Sequence, residues 1–145
     1  MPFMLTIAKK KTFYHGHTYT ANPLACAAAL ASLKVFNREN TFKRVRYLMS
    51  FLNKELEKFR VLPIVGDVRC LGMIGAVELV KNKDTKELFS DEERIGLTVY
   101  KEGLKERLIL RPLGSVIYLY LPLNTKKVDL EVILKRMFKV IQHLI

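Results

Sequence analysis

The sequence is poor in the residues that build disulfides and metal sites. Its 145 residues include no tryptophan, two cysteines and three histidines. Cys26 and Cys70 do not form a CxxC pair and both lie in apolar runs, which excludes a disulfide framework. His15 and His17 would share one face of a strand, but only His143 remains as a further histidine ligand for a metal. We therefore expect no metal site, and a hydrogen-bonded role for these histidines.

Long apolar runs and low-complexity segments are also missing. Charges interrupt every apolar stretch before the ~18–20 residues that a membrane span requires. Half of the residues are hydrophobic, and the 7 glycines and 5 prolines are an ordinary share, which excludes disordered and collagen-like chains. At the start of the chain Lys9–Lys11 follow the apolar stretch, whereas a secretory signal has the opposite order. We expect one soluble, cytoplasmic globular unit.

Acidic residues are scarce relative to basic ones. The 25 Lys and Arg residues against 14 Asp and Glu give a formal net charge of +11. Such a balance makes nucleic acid an obvious partner to consider. However, the sequence has no helix-turn-helix, zinc-finger spacing or RNA-binding signature, and most basic residues lie on the polar faces of helical patterns. This favours a solvated surface, with a basic nucleic-acid-binding domain as the alternative.

The hydrophobic pattern predicts an α+β fold in which helices pack on a small antiparallel or mixed sheet. The predicted order is helix–helix–strand–strand–helix–strand–strand–helix. The first helix begins at Asn22-Pro23, because asparagine caps a helix and proline suits its first turn. It continues to Phe36 with almost no charge before Lys34, so we expect it to be buried on several sides against a larger body.

The other elements follow from changes in apolar period. The second helix starts after Asn40, and its apolar positions are Phe42, Val45, Met49, Leu52, Leu56 and Phe59. Residues 61–80 predict two strands with a glycine turn or bulge. A turn over Arg111–Gly114, a strand over Ser115–Leu121 and a last helix over about Val128–Leu144 complete the pattern.

Two places could carry chemistry. Residues 12–29 combine a glycine, several hydroxyls and a capped helix start, which suits an anion such as phosphate, although most capped helices bind nothing. Arg111 lies between Leu110 and Pro112, a poor position for an ordinary solvated side chain. Its two-pronged guanidinium matches a carboxylate, so a ligand carboxylate and a structural salt bridge to Asp or Glu are both open, the salt bridge slightly ahead.

Four ordered stretches resemble the C-terminal part of class III pyridoxal-phosphate aminotransferases. They are His15–Tyr19 leading into Asn22–Ala29, then Asp67–Glu78, Leu110–Gly114 and Val116–Leu119. The resemblance covers roughly residues 11–145. It implies a fold-type-I homodimer with a large cofactor domain and a small C-terminal domain. Residues 1–21 would then be a remnant of the large domain, residues 22–38 the connecting helix and residues 39–145 the small domain.

The resemblance also assigns roles to individual residues. Gly16 and His17 would lie in the loop that contacts the phosphate of pyridoxal 5'-phosphate. Thr18 matches the threonine that hydrogen-bonds this phosphate, reaching the site of the neighbouring subunit. Arg111 matches the arginine that binds the carboxylate of 7-keto-8-aminopelargonate, and Tyr118 matches a tyrosine of the substrate pocket.

The most similar members act in biotin synthesis, where S-adenosylmethionine donates an amino group to 7-keto-8-aminopelargonate. The resemblance thus implies these two substrates and a homodimer, with no nucleic acid and no membrane as partners. A class III aminotransferase that acts on another ω-amino acid is the alternative.

The chain departs from the family pattern in ways that affect catalysis. The family commonly has glycine where Ala21 stands and a second proline where Leu121 precedes Pro122. Its cofactor-binding lysine and its aspartate lie before the His-Gly-x-Thr segment, and nothing here matches them, since Lys9–Lys11 lack the family's flanking residues. We therefore expect a C-terminal fragment without a catalytic residue, inactive on its own.

Overall fold

The computed structural model describes residues 15–145, and the expectations for residues 1–14 lie outside this range. The helices and strands follow the predicted order. They are α1 (Pro23–Arg38), α2 (Thr41–Glu57), a 3-10 turn (Lys58–Val61), β1 (Val65–Leu71), β2 (Ile74–Leu79), α3 (Ile95–Lys105), β3 (Arg111–Leu113), β4 (Val116–Tyr120) and α4 (Lys127–Gln142). The chain divides into two compact units after Glu39. No helix over residues 15–145 is long and apolar enough to cross a membrane.

The first unit contains α1, which begins as the sequence predicts. The side chain of Asn22 accepts a hydrogen bond from the Ala25 backbone N–H (3.1 Å), and Pro23 occupies the first turn. None of the sixteen residues of α1 is buried. Burial of this helix on several sides therefore stays a prediction that concerns protein beyond residues 15–145.

The second unit, from Asn40 to Ile145, is a four-stranded antiparallel sheet with helices on one face. The strand order is β1-β2-β4-β3. Gly72 turns the β1–β2 hairpin with a φ of 59°, a conformation that glycine adopts without strain, and a bulge interrupts β1 between Val65 and Asp67. The sequence indicated a glycine turn or a bulge in these two strands, and the structure contains both.

The core lies between one sheet face and the helices. Alternate strand residues such as Val77 and Ile117 are fully buried and pack in one cluster with Leu52 and Leu56 of α2 and Met137 of α4. The opposite sheet face, which we call the open face, carries the residues between them. Its members are Asp67, Arg69, Leu71, Ile74, Ala76, Glu78, Arg111, Leu113, Val116, Tyr118 and Tyr120.

Two predictions about individual elements were wrong. Phe42 is 65% exposed and Leu48 takes its place in the core, because the buried stripe of α2 runs through Thr41, Leu48, Leu52 and Leu56. Residues 111–113 form strand β3 where a turn was expected, and the turn follows at Gly114. Proline cannot donate to a neighbouring strand, but Pro112 is tolerated because β3 is the edge strand.

Candidate functional site

One candidate site, in the first unit, is the segment Gly16–Thr18, which lies in an exposed turn before α1. The turn is held by its own groups: the His17 N–H donates to Thr20 Oγ1 (2.7 Å) and the Tyr19 N–H donates to His17 Nδ1 (3.2 Å). The rings of His15 and His17 meet edge to face with centroids 5.8 Å apart. A β-carbon at Gly16 would have nothing within 4 Å, so the backbone there is open to a ligand.

Thr18 differs from its neighbours in this turn. Its side chain is exposed, and neither its hydroxyl nor its backbone N–H donates to any residue within 15–145. A free hydroxyl beside an open glycine is chemically suited to a phosphate oxygen, which accepts hydrogen bonds strongly when charged. The residues of the turn therefore fit a phosphate group, although they do not enclose one by themselves.

The turn ends at a strained residue. Ala21 has a φ of 60°, in the left-handed region that favours glycine. It is the position at which the sequence departs from the glycine of the family pattern. A side chain at this φ costs roughly 1–2 kcal/mol, so the approach to the Asn22 cap is locally destabilised.

A separate candidate site, in the second unit, is the pair Arg111 and Tyr118. The two residues are direct partners in the antiparallel register of β3 and β4. Directly opposed residues extend from the same face of a sheet, so both lie on the open face. Leu110, 1% exposed, anchors the chain immediately before Arg111.

The guanidinium of Arg111 has no acidic partner within residues 15–145, and it makes no hydrogen bond there. The structural salt bridge that the sequence left open is thus not formed by the described residues. An exposed, unpaired guanidinium is available to a ligand carboxylate.

A cavity of about 360 Å³ lies beside this pair. Arg111 supplies its only charge, and the other lining side chains are apolar or aromatic: Leu108, Ile109, Tyr118, Leu119, Tyr120, Leu121 and Ile133. A cation beside apolar walls suits an aliphatic chain that ends in a carboxylate. We did not single out Tyr120 or Ile109 from the sequence, but strand alternation places Tyr120 on the face of Tyr118 and was a usable signal.

Arg69, the other arginine of the open face, differs from Arg111 because it is ion-paired. Arg69, Ala76, Tyr118 and Arg111 form one row across the four strands. Arg69 is paired with Asp67 (2.9 Å) and Glu78 (2.6 Å), both on the same face. The charge of Arg69, at the β1 end of the row, is therefore neutralised by neighbouring carboxylates. The charge of Arg111, at the β3 end, has no such partner within residues 15–145.

The carboxyl of Asp67, which pairs with Arg69, has a lowered pKa. A hydrogen bond from the Val68 backbone and the guanidiniums of Arg69 and Arg60 hold the pKa of the Asp67 carboxyl below its usual range. Arg60 reaches Asp67 at 3.2 Å and Glu57 at 2.7 Å. This network is structural. Sequence reasoning did not find it because Arg69 meets Glu78 through the strand register and Arg60 reaches Asp67 from the 3-10 turn.

The sequence led us to expect no metal site, so we looked for groups of His, Cys, Asp and Glu side chains that could bind an ion. Within residues 15–145, no three such side chains are grouped so that they could hold a metal ion. His143 lies at the end of α4, in a different unit from His15 and His17.

Comparison with known proteins identifies the family. The model of the family "Aminotransferase class-III" matches residues 3–141. An adenosylmethionine-8-amino-7-oxononanoate aminotransferase from Geobacter sulfurreducens is 46% identical over 121 residues, which are 83% of this chain and 27% of that protein.

Solved structures give the same fold. The crystal structure of the corresponding enzyme from Methanocaldococcus jannaschii superimposes with a TM-score of 0.82 at 36% identity, over 97% of this chain and 32% of that one. An (S)-enantioselective omega-transaminase from Thermomicrobium roseum superimposes with a TM-score of 0.85 at 27% identity, over 95% and 31%. The chain thus spans about a third or less of the length of these relatives, and it belongs to the class III aminotransferase family.

Proposed function

We propose that this chain is the C-terminal part of an aminotransferase that transfers an amino group from S-adenosylmethionine to 7-keto-8-aminopelargonate in biotin biosynthesis, and that the chain alone is inactive. The observation that carries this proposal is the unpaired guanidinium of Arg111 beside Tyr118 and an apolar cavity. The keto substrate is an aliphatic chain that ends in a carboxylate, so its two chemical features match the two features of the site. The relatives with this activity support the choice of substrate.

In this proposal Arg111 binds and orients the substrate carboxylate through a charge-assisted, two-pronged hydrogen bond. Tyr118 extends from the same face and borders the cavity that receives the aliphatic chain. Fixing the carboxylate at one end places the reacting carbon at a set distance from it, which is the usual contribution of such residues to rate.

The proposed cofactor is pyridoxal 5'-phosphate. Gly16, His17 and Thr18 would contact its phosphate, with the Thr18 hydroxyl as a donor, in the site of the partner subunit of a homodimer. The electron sink for the amino transfer comes from the bound cofactor. The proposal assigns no catalytic residue to this chain, because no residue matches the family's cofactor-binding lysine.

The test uses a hybrid enzyme, defined as the Methanocaldococcus relative with its matching segment replaced by this chain. Arg111→Ala should raise the KM for 7-keto-8-aminopelargonate roughly 10- to 100-fold, which corresponds to the loss of a hydrogen bond to a charged group. The methyl ester of the substrate, which has no carboxylate charge, should show no such increase. Equal effects on acid and ester would contradict the proposal.

Two controls keep this test interpretable. Arg46→Ala removes an exposed arginine on α2 that has no ion-pair partner within residues 15–145, and it should leave both KM values unchanged. If the hybrid does not assemble, nuclear magnetic resonance on the 145-residue chain can compare nonanoate with nonanamide. Only nonanoate should shift the signals of Arg111 and Tyr118, and an equal response to both compounds rejects the site.

The phosphate role has its own test. Thr18→Ala should weaken binding of pyridoxal 5'-phosphate to the hybrid by about tenfold or more, because a charge-assisted hydrogen bond is lost. Thr18→Ser keeps the hydroxyl and should restore most of the affinity. An affinity that depends on the methyl group and not on the hydroxyl would reject this role.

An aminotransferase for another ω-amino acid is the second candidate. The fold similarity to the Thermomicrobium omega-transaminase favours it as an alternative. The hybrid should use S-adenosylmethionine as the amino donor and should use simple ω-amines poorly. The reverse preference would select the alternative.

A further inference from the structure

We infer that Gly96 and Gly103 of α3 are positioning residues for Arg111. The inference rests on the proposed function, since it concerns the carboxylate that Arg111 would bind. Both glycines are buried, and they are seven residues apart, which places them on one face of the helix two turns apart. We call this pair the glycine face of α3.

The glycine face brings α3 against the segment that carries Arg111. A β-carbon at Gly96 would overlap the carbonyl oxygen of Gly114 and would lie 2.6 Å from Cβ of Pro112. Non-bonded carbon atoms stay about 3.5–4.0 Å apart. Any side chain at Gly96 would therefore push the β3 segment away by roughly 1 Å.

Gly103 allows a second close approach, at the chain that precedes Arg111. A β-carbon there would lie 2.7 Å from the carbonyl oxygen of Leu108. At this point α3 ends in a Schellman motif, because the Leu108 N–H donates to the Gly103 carbonyl (2.8 Å) and the Arg107 N–H donates to the Leu104 carbonyl (3.0 Å). The chain thus leaves the helix after Lys105, and β3 begins at Arg111, three residues after Leu108.

Arg111 lies between these two close approaches. Gly103 fixes the chain before it at Leu108, and Gly96 fixes the chain after it at Pro112 and Gly114. On its other side β3 pairs only with β4, and it is an edge strand of three residues. So short a strand has few ladder hydrogen bonds to resist displacement, and the contact with α3 sets where the Arg111 backbone lies.

A shift of the β3 backbone carries the guanidinium with it. A two-pronged hydrogen bond to a carboxylate depends on distance and on the orientation of the fork. A displacement near 1 Å at a substrate-positioning group can cost up to about 100-fold in rate. The glycine face therefore acts on the substrate through Arg111, without touching the substrate itself.

The test combines Gly96→Ala with Arg111→Ala in the hybrid enzyme. Gly96→Ala should raise the KM for 7-keto-8-aminopelargonate by about tenfold and leave the KM for its methyl ester unchanged. In the Arg111→Ala background, Gly96→Ala should have no further effect on the KM for the acid, because the group that it displaces is absent. The matched control Thr98→Ala changes an exposed residue of the same helix and should change neither KM.

The outcomes separate the two ideas. If Arg111→Ala itself does not distinguish acid from ester, the proposed function is wrong. If it does, but Gly96→Ala affects acid and ester equally, affects neither, or adds fully to Arg111→Ala, the positioning role is wrong. If Gly96→Ala fails to fold, Gly103→Ala provides the same comparison, since its overlap involves a single carbonyl oxygen. Nonanoate binding to the 145-residue chain gives a readout independent of activity and should weaken in both glycine variants.

Discussion

Arg111 and Tyr118 are direct partners across the antiparallel strands β3 and β4, and both lie on the open face of the sheet. They are seven positions apart in sequence, and the short β-turn at Gly114 makes them neighbours. The guanidinium is left without an acidic partner in residues 15–145, next to an aromatic ring and an apolar cavity.

The pair leads to a prediction about Tyr118. Tyr118→Phe removes only the hydroxyl, so in the hybrid enzyme it should raise the KM for 7-keto-8-aminopelargonate by about 2- to 10-fold, the effect of one neutral hydrogen bond. Steady-state kinetics measures this directly. Tyr47→Phe is the matched control, because Tyr47 is an exposed tyrosine of α2 that does not line this cavity. Equal effects of the two variants would mean that adjacency to Arg111 is not the cause.

The Asp67 network predicts a dependence of stability on pH. The folded pKa of Asp67 lies below its ordinary value, so its contribution to stability is present above about pH 4 and is lost as the pH falls through the folded pKa. Asp67→Asn should lower stability at neutral pH and flatten the loss of stability below pH 4. Chemical unfolding at a series of pH values measures both changes.

The control for this experiment is Asp84→Asn. Asp84 is exposed and forms no ion pair within residues 15–145. Its substitution should leave the acid limb of the stability curve unchanged. An acid limb that is as steep in Asp67→Asn as in the unmodified chain would remove the network from the explanation.

Ala21 provides a prediction about the start of α1. Ala21→Gly relieves a left-handed backbone strain, and after the extra freedom of glycine in the unfolded chain is subtracted, the net gain should be roughly 1 kcal/mol. Amide exchange at Ala25, whose N–H is bound by the Asn22 cap, should slow by roughly fivefold. Ala28→Gly in the interior of the same helix should have the opposite sign, at a cost of about 1 kcal/mol. The same sign for both variants would show that the φ of Ala21 is not strained.

The last prediction concerns activity of the 145-residue chain. Supplied alone with pyridoxal 5'-phosphate and both substrates, it should give no turnover, because no residue of the sequence matches the cofactor-binding lysine of the family. The hybrid enzyme, assayed in parallel, should be active. Turnover by the chain alone would require a different lysine to serve, and alanine variants of Lys9, Lys10 and Lys11 would identify it.

Much of the fold could be predicted from local patterns. The order of eight elements, the cap at Asn22 and the glycine turn or bulge in the β1–β2 segment depend on residues close in sequence. Apolar period alone did not select the core face of α2, where Leu48 is buried and Phe42 is exposed. Both residues fit a helical stripe, and only the position of the sheet decides between them.

The candidate site divides in the same way. By itself the sequence determined which residues could act: the hydroxyls and Gly16 before a capped helix, and an arginine next to a proline. Only the tertiary structure decided that Arg69 is neutralised by Asp67 and Glu78 while Arg111 is unpaired and lies beside Tyr118 and a cavity. The physical reason is that strand register and edge position arise from pairing between distant segments. The charge that surrounds each arginine follows from that pairing, and no local pattern encodes it.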